Sequence, residues 1–187
     1  MDKIEIYGII EEGSYDKFIE DLNLIYEKDP ETENITVCLN TPGGSVSEGL
    51  QIYFTILMLC EVGMDIHIQV RGEAASMGSV ILLASENRSC TKDSKVMIHN
   101  PWTEVQGDAD TLLEVSKSLK EAEEFLRGIY THSTDLSESQ LKTIMKREVT
   151  FDADEALKLG IVNNIDNEIL YETLVWPYNR KSLRPYK

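Results

Sequence analysis

Short apolar runs alternate with segments of helical period along most of this 187-residue chain, and that alternation constrains the fold more than any other feature. Residues 3–10, 34–39 (N-I-T-V-C-L), 65–70 (D-I-H-I-Q-V) and 94–99 (S-K-V-M-I-H) have the length and composition of strands. Between them, residues 16–27 place Phe18, Ile19, Leu22 and Ile25 at helical spacing behind a cap candidate, Ser14. Residues 45–62 carry Leu50, Ile52, Tyr53, Ile56, Leu57 and Leu59 as a largely inward face. Residues 74–84 are small, apolar and continuous, which predicts a buried helix. Further helices are expected over 108–131, over 137–146 with Ser137 as cap, and over 150–159 with Gly160 just past the end. A last strand is expected to open at Ile161. Strands and helices in alternation call for an α/β fold, with a mainly parallel sheet and right-handed helical crossovers. The length favours one domain. Residues 1–170 form that domain in this reading, and residues 171–187, basic and aromatic at the end, form a C-terminal tail.

Charge and composition exclude several functions. Eighteen Lys and Arg against 33 Asp and Glu leave a net charge of −15, which repels phosphate backbones and anionic lipid. Nucleic acid and membrane are therefore not expected as partners. No apolar run reaches the roughly 18–20 residues of a membrane span. The N-terminus, M-D-K-I-E, lacks the apolar stretch of a signal peptide, so the expected location is cytoplasmic. Cys38, Cys60 and Cys90 are odd in number and scattered, against a disulfide framework or a zinc site, and they read as small hydrophobes in a reducing compartment. Neither a metal nor another cofactor is expected.

Two glycine-rich breaks follow predicted strands: Pro42-Gly43-Gly44-Ser45, and residues 72–79 (G-E-A-A-S-M-G-S). A serine at a strand-to-helix turn has the logic of a nucleophile elbow, because free N–H groups at the helix start can stabilise an oxyanion. Ser76 holds that place, although Ala74 stands where a G-x-S-x-G motif has its first glycine. The competing reading makes Ser76 a helix N-cap. A nucleophilic serine needs a base. Of three histidines, His67 lies inside an alternating strand, and His132 ends a long helix, where the dipole favours it. His99 closes a strand before Asn100-Pro101, the position at which ligand crevices form in α/β sheets. Ser76 and His99 on neighbouring strand ends would make a dyad.

Residues 72–79, 96–101 (V-M-I-H-N-P) and 39–49 (L-N-T-P-G-G-S-V-S-E-G), in this order and spacing, resemble the three signature segments of the ClpP peptidase family. Residues 107–110 and the long helix after them resemble that family's handle, a strand plus a helix protruding from a repeated β-β-α superhelix. Residues 154–162 resemble its closing motif, and the similarity runs from about residue 3 to residue 165. The resemblance implies a serine peptidase with Ser76 as nucleophile, His99 as general base, and the backbone N–H groups of Gly44 and Met77 as oxyanion hole. It implies a peptide or unfolded-protein substrate, bound as an added strand between the handle near Val105 and the segment after Gly44. It also implies a homo-oligomer of stacked, heptameric rings.

Two departures stand out. The family's triad acid is usually an Asp in the helix before the closing motif, and counting back from Glu155-Ala156 places it at Ile144, which has no carboxylate. Residues 145–151 (M-K-R-E-V-T-F) resemble instead a stretch of phage-encoded ClpP-like head maturation proteases, which makes Glu148 the candidate acid and Asp152 the second. The chain also starts at what would be the first body strand, so the segment that docks an ATPase is unmatched, which counts against an unfoldase partner. Two other functions compete. A crotonase-like acyl-CoA enzyme shares the fold but has no role for a Ser–His pair. A ring-forming protein with weak or no activity would account for the missing acid at Ile144.

Overall fold

The computed structural model describes residues 2–166, and the tail expected at 171–187 lies outside the described residues. In chain order the elements are β1 (Asp2–Tyr7), α1 (Ser14–Lys28), β2 (Asn34–Thr41), α2 (Val46–Glu61), β3 (Asp65–Ala75), α3 (Met77–Leu82), β4 (Arg88–Thr91), β5 (Lys95–Ile98), α4 (Ala109–Ser133), α5 (Glu138–Arg147), β6 (Val149–Asp152), α6 (Ala153–Lys158) and β7 (Asn164–Asp166). The strands form one seven-stranded, mainly parallel sheet with the path β1-β2-β3-β4-β7. β5 pairs parallel with the end of β3, and β6 pairs antiparallel with β5.

The alternating apolar residues of the strands build the core. Ile35, Val37 and Leu39 of β2 and Ile66, Ile68 and Val70 of β3 are buried in one cluster with Phe18 and Leu22 of α1 and Ile52 and Ile56 of α2. No helix among the described residues is long and apolar enough to cross a membrane.

β3 is the element that positions the site. Its first half pairs with β4 through Ile68, Gln69 and Val70, and its second half pairs with β5 through Glu73, Ala74 and Ala75. Residues 74 and 75 are therefore strand and not the start of a helix as expected. Their backbone is paired with β2 at Thr41 and with β5 at Val96 and Met97, and the helix begins only at Met77.

Other expectations are also corrected. Gly13, with φ 89°, holds the N-cap position of α1, and Ser14 Oγ instead accepts from the Glu11 N–H. Residues 150–152 pair with β5 as a strand before α6 begins, and the last strand starts at Asn164, not Ile161. β4 was not expected at all. Residues 99–108 carry no strand, so the handle consists of α4 alone in the described chain. A strand exists only where a neighbour completes its hydrogen-bond ladder, and no described segment pairs with this one.

α4 packs most deeply on the body at its C-terminal end, while Val115 and Leu119 nearer its start are half-buried and face the 100–105 segment. Its buried residues are Leu126, Arg127, Ile129 and Tyr130, whereas Leu112 and Leu113 nearer its start are exposed. The long helix thus projects from the sheet-bearing body.

Candidate active site

Three strand ends converge. Thr41 of β2 registers with Ala74 of β3, and Ala75 registers with Met97 of β5. Beyond those pairs lie the Pro42-Gly43-Gly44 turn, Ser76 and His99, all on a cavity of about 720 Å³. In a parallel sheet the C-terminal strand ends are where backbone groups and side chains are free to face a ligand.

Ser76 sits at the N-cap position of α3 with φ 52° and ψ −121°, a conformation rare for any residue with a Cβ. Its hydroxyl does not cap the helix. It makes a 2.8 Å hydrogen bond with His99 Nε2 instead. The N-cap reading of Ser76 therefore fails as an account of its side chain. The backbone around it is clamped, since the Ser76 N–H donates to Met97 O at 2.9 Å.

Glycine is required at the facing turn. A Cβ on Gly43 (φ 91°) would lie 2.5 Å from Ser76 Cβ, and one on Gly44 (φ 145°) would lie 2.0 Å from Ile10 O. The turn is stitched to Ile10: Ile10 N–H donates to Gly43 O, and Ser45 N–H donates to Ile10 O. The Gly44 N–H takes no part in that bridge. Met77 opens α3, so its N–H has no acceptor within the helix. That nitrogen would be 2.9 Å from a Gly43 Cβ, which places it beside the same turn.

Glu148 lines the cavity with Ser76 and His99. It ends α5 in the left-handed region, at φ 56° and ψ 80°. Ser76 and Glu148 are the two non-glycine residues with positive φ among the described residues, and both face this cavity. No hydrogen bond joins Glu148 to His99, whose one side-chain hydrogen bond among the described residues is to Ser76. Ile144 packs against the core. Asp152 is occupied in a capping box, accepting from the Glu155 N–H at 2.9 Å while its own N–H donates to Glu155 Oε2 at 3.0 Å.

The remaining histidines and the cysteines stand apart from the cavity. His67 Nε2 hydrogen-bonds Ser89 Oγ across β3 and β4, and His132 lies exposed in the last turn of α4. All three cysteines are free. Burial pushes the Cys38 and Cys60 thiols up and the Cys90 thiol up to about 11, so none is poised as a nucleophile.

A glycine turn, an elbow serine and a strand-end histidine in this order are what a family comparison then accounts for. The model of the Clp protease family matches residues 1–168. The chain belongs to that family. It is a ClpP-like serine peptidase. Its Clp relatives include the ATP-dependent Clp protease proteolytic subunit of Borreliella afzelii, 29% identical over 164 residues, spanning 87% of this chain and 81% of that protein. The ATP-dependent Clp protease proteolytic subunit 1 of Borreliella burgdorferi is also 29% identical over 164 residues, 87% of this chain and 82% of its own. The corresponding Borrelia garinii protein matches at 29% over 144 residues, 76% of this chain and 73% of its own. The acyl-CoA reading fits neither this membership nor the bond between Ser76 and His99.

Two cavity residues escaped the sequence reading. Ile9 and Trp102 both line the site and are strongly exposed. The available signal was their setting: an isoleucine among Gly8, Glu11, Glu12 and Gly13, and a tryptophan directly after Asn100-Pro101, are apolar residues where solvent is expected.

Proposed function

We propose that this Clp-family chain hydrolyses peptide bonds through an acyl-enzyme formed on Ser76. The 2.8 Å hydrogen bond between Ser76 Oγ and His99 Nε2 carries the reading. Ser76 O–H donates to Nε2 in the productive tautomer, and the ring proton sits on Nδ1. As Oγ attacks the scissile carbonyl carbon, Nε2 takes the hydroxyl proton, and the carbonyl oxygen becomes an oxyanion facing the Gly44 and Met77 N–H groups. His99 then gives the proton to the leaving amine as the C–N bond breaks. Water repeats the sequence on the ester and frees Ser76. Glu148 is the carboxylate we assign to the Nδ1–H of His99, from its place on the same cavity and its held backbone.

The substrate is an extended peptide or unfolded protein, bound as a strand beside the Gly44 turn. The projecting α4, with Leu112, Leu113 and Phe125 exposed, supports a homo-oligomer, and the family resemblance supports stacked, heptameric rings as its form. The similarity of residues 145–151 to phage head maturation proteases supports capsid or scaffold processing in a bacterial cytoplasm. Small peptides are cut without nucleotide, since the chain has no G-x-x-x-x-G-K-[ST] loop.

The test is peptide hydrolysis by Ser76→Ala. Activity falls by several powers of ten, to roughly 10³–10⁴ over the uncatalysed rate. A near wild-type rate on a small peptide ester would show that Ser76 is not the nucleophile.

A further inference from the structure

The carbonyl of Ser76 is held by a relay that starts on another helix. Ser79 Oγ lies 2.6 Å from Ser76 O and 2.6 Å from the hydroxyl oxygen of Tyr130. Ser79 and Tyr130 are both buried. Proton accounting gives the relay one direction. A carbonyl only accepts, so the single proton of Ser79 goes to Ser76 O, and Ser79 Oγ must accept from the Tyr130 O–H. Burial pushes the Tyr130 phenol well above its ordinary range, so it stays protonated and remains a donor. The Ser79 N–H donates to the same carbonyl at 3.0 Å.

The carbonyl of Ser76 and the N–H of Met77 belong to one peptide unit, planar and trans, so fixing one fixes the other in the opposite direction. Holding Ser76 O inward, toward Ser79 and Tyr130, aims the Met77 N–H outward beside the Gly43-Gly44 turn. Hydrogen bonds accepted at a carbonyl also polarise its amide and strengthen the N–H as donor. The relay further braces the strained backbone of Ser76.

We propose that Tyr130 and Ser79 are positioning residues that set the direction and strength of the Met77 N–H as an oxyanion-hole donor. This rests on the assignment of Ser76 as nucleophile and extends it to two buried residues, one of them on α4. Neither touches the substrate.

Tyr130→Phe keeps the ring and removes the donor, and Ser79→Ala removes the whole relay. A full oxyanion donor is worth about 10²–10³ in kcat, and misaiming one without deleting it should cost about tenfold. We expect kcat to fall by about that factor in each variant with KM unchanged. The affinity for a peptide aldehyde, which forms a tetrahedral adduct with an oxyanion on the nucleophile, should fall by the same factor. Binding of the uncleaved peptide to the Ser76→Ala background should not change. The double variant should lose little more than Ser79→Ala alone, because the two residues act in series. If Tyr130→Phe lowers Tm, Ser79→Ala, which leaves the ring in place, carries the test. Unchanged kcat and aldehyde affinity in Ser79→Ala would overturn the proposal, as would losses in KM alone. Wild-type protein that is neither active on peptides nor inhibited by the aldehyde would instead remove the Ser76 assignment on which the proposal stands.

Discussion

Ser76 and Glu148 are held in backbone conformations that most side chains avoid, at a cost of order 1–3 kcal/mol each. At Ser76 that cost places the hydroxyl against His99, away from the end of α3. At Glu148 it turns the chain so that a carboxylate on the exit from α5 meets the same cavity as Ser76 and His99. A Ser–His pair works best when a third group fixes the imidazole tautomer and stabilises the imidazolium, and Glu148 is the candidate for that role. Glu148→Gln preserves size and removes charge. We expect it to lower kcat by about 10²–10⁴ with little change in KM, read from steady-state peptide hydrolysis. Full activity in that variant would mean that His99 works as half of a dyad or is oriented by a backbone carbonyl.

Asp152 belongs to the element scale, because its carboxylate is committed to the first turn of α6. Asp152→Ala should cost about 1 kcal/mol of stability, seen as a lower urea midpoint at unchanged slope, while kcat stays near wild type. Loss of activity without loss of stability would mean that the catalytic acid had been misassigned. Elements with their own periodicity were legible in the sequence: β2, α2 and the first half of β3 fall close to where their apolar patterns put them. Elements defined by distant partners were not. β4 reads as R-S-C-T, and a buried arginine looks like an exposed one until the carbonyls of Ser85, Ser133, Gly160 and Ile161 are seen accepting from its guanidinium. β6 is a strand only because β5 lies antiparallel beside it. Of the site, the strand-end serine and histidine showed themselves through local chemistry. The relay from Tyr130 left no trace, since residues 76 and 130 are brought together by the packing of α3 on α4, not by any spacing.

At the scale of the whole molecule, an acidic chain with a projecting helix has to account for its exposed apolar residues. Leu113 on α4 and the neighbouring rings of Phe54 and Phe125, with centroids 6.2 Å apart, lie open on the single chain. Apolar surface of this kind marks a contact with another protein, and the partner we propose is a second copy of the chain. Sedimentation at micromolar concentration should give a multiple of 21.2 kDa. A mass near 21.2 kDa would refute assembly. The account as a whole stands on the chemistry of one serine, and a fluorophosphonate probe read by intact mass and peptide mapping tests it most directly. Wild-type protein should take up one adduct per subunit, on Ser76, and His99→Ala should take up none on the same timescale. Labelling that spares Ser76, or that proceeds as fast without His99, would contradict it.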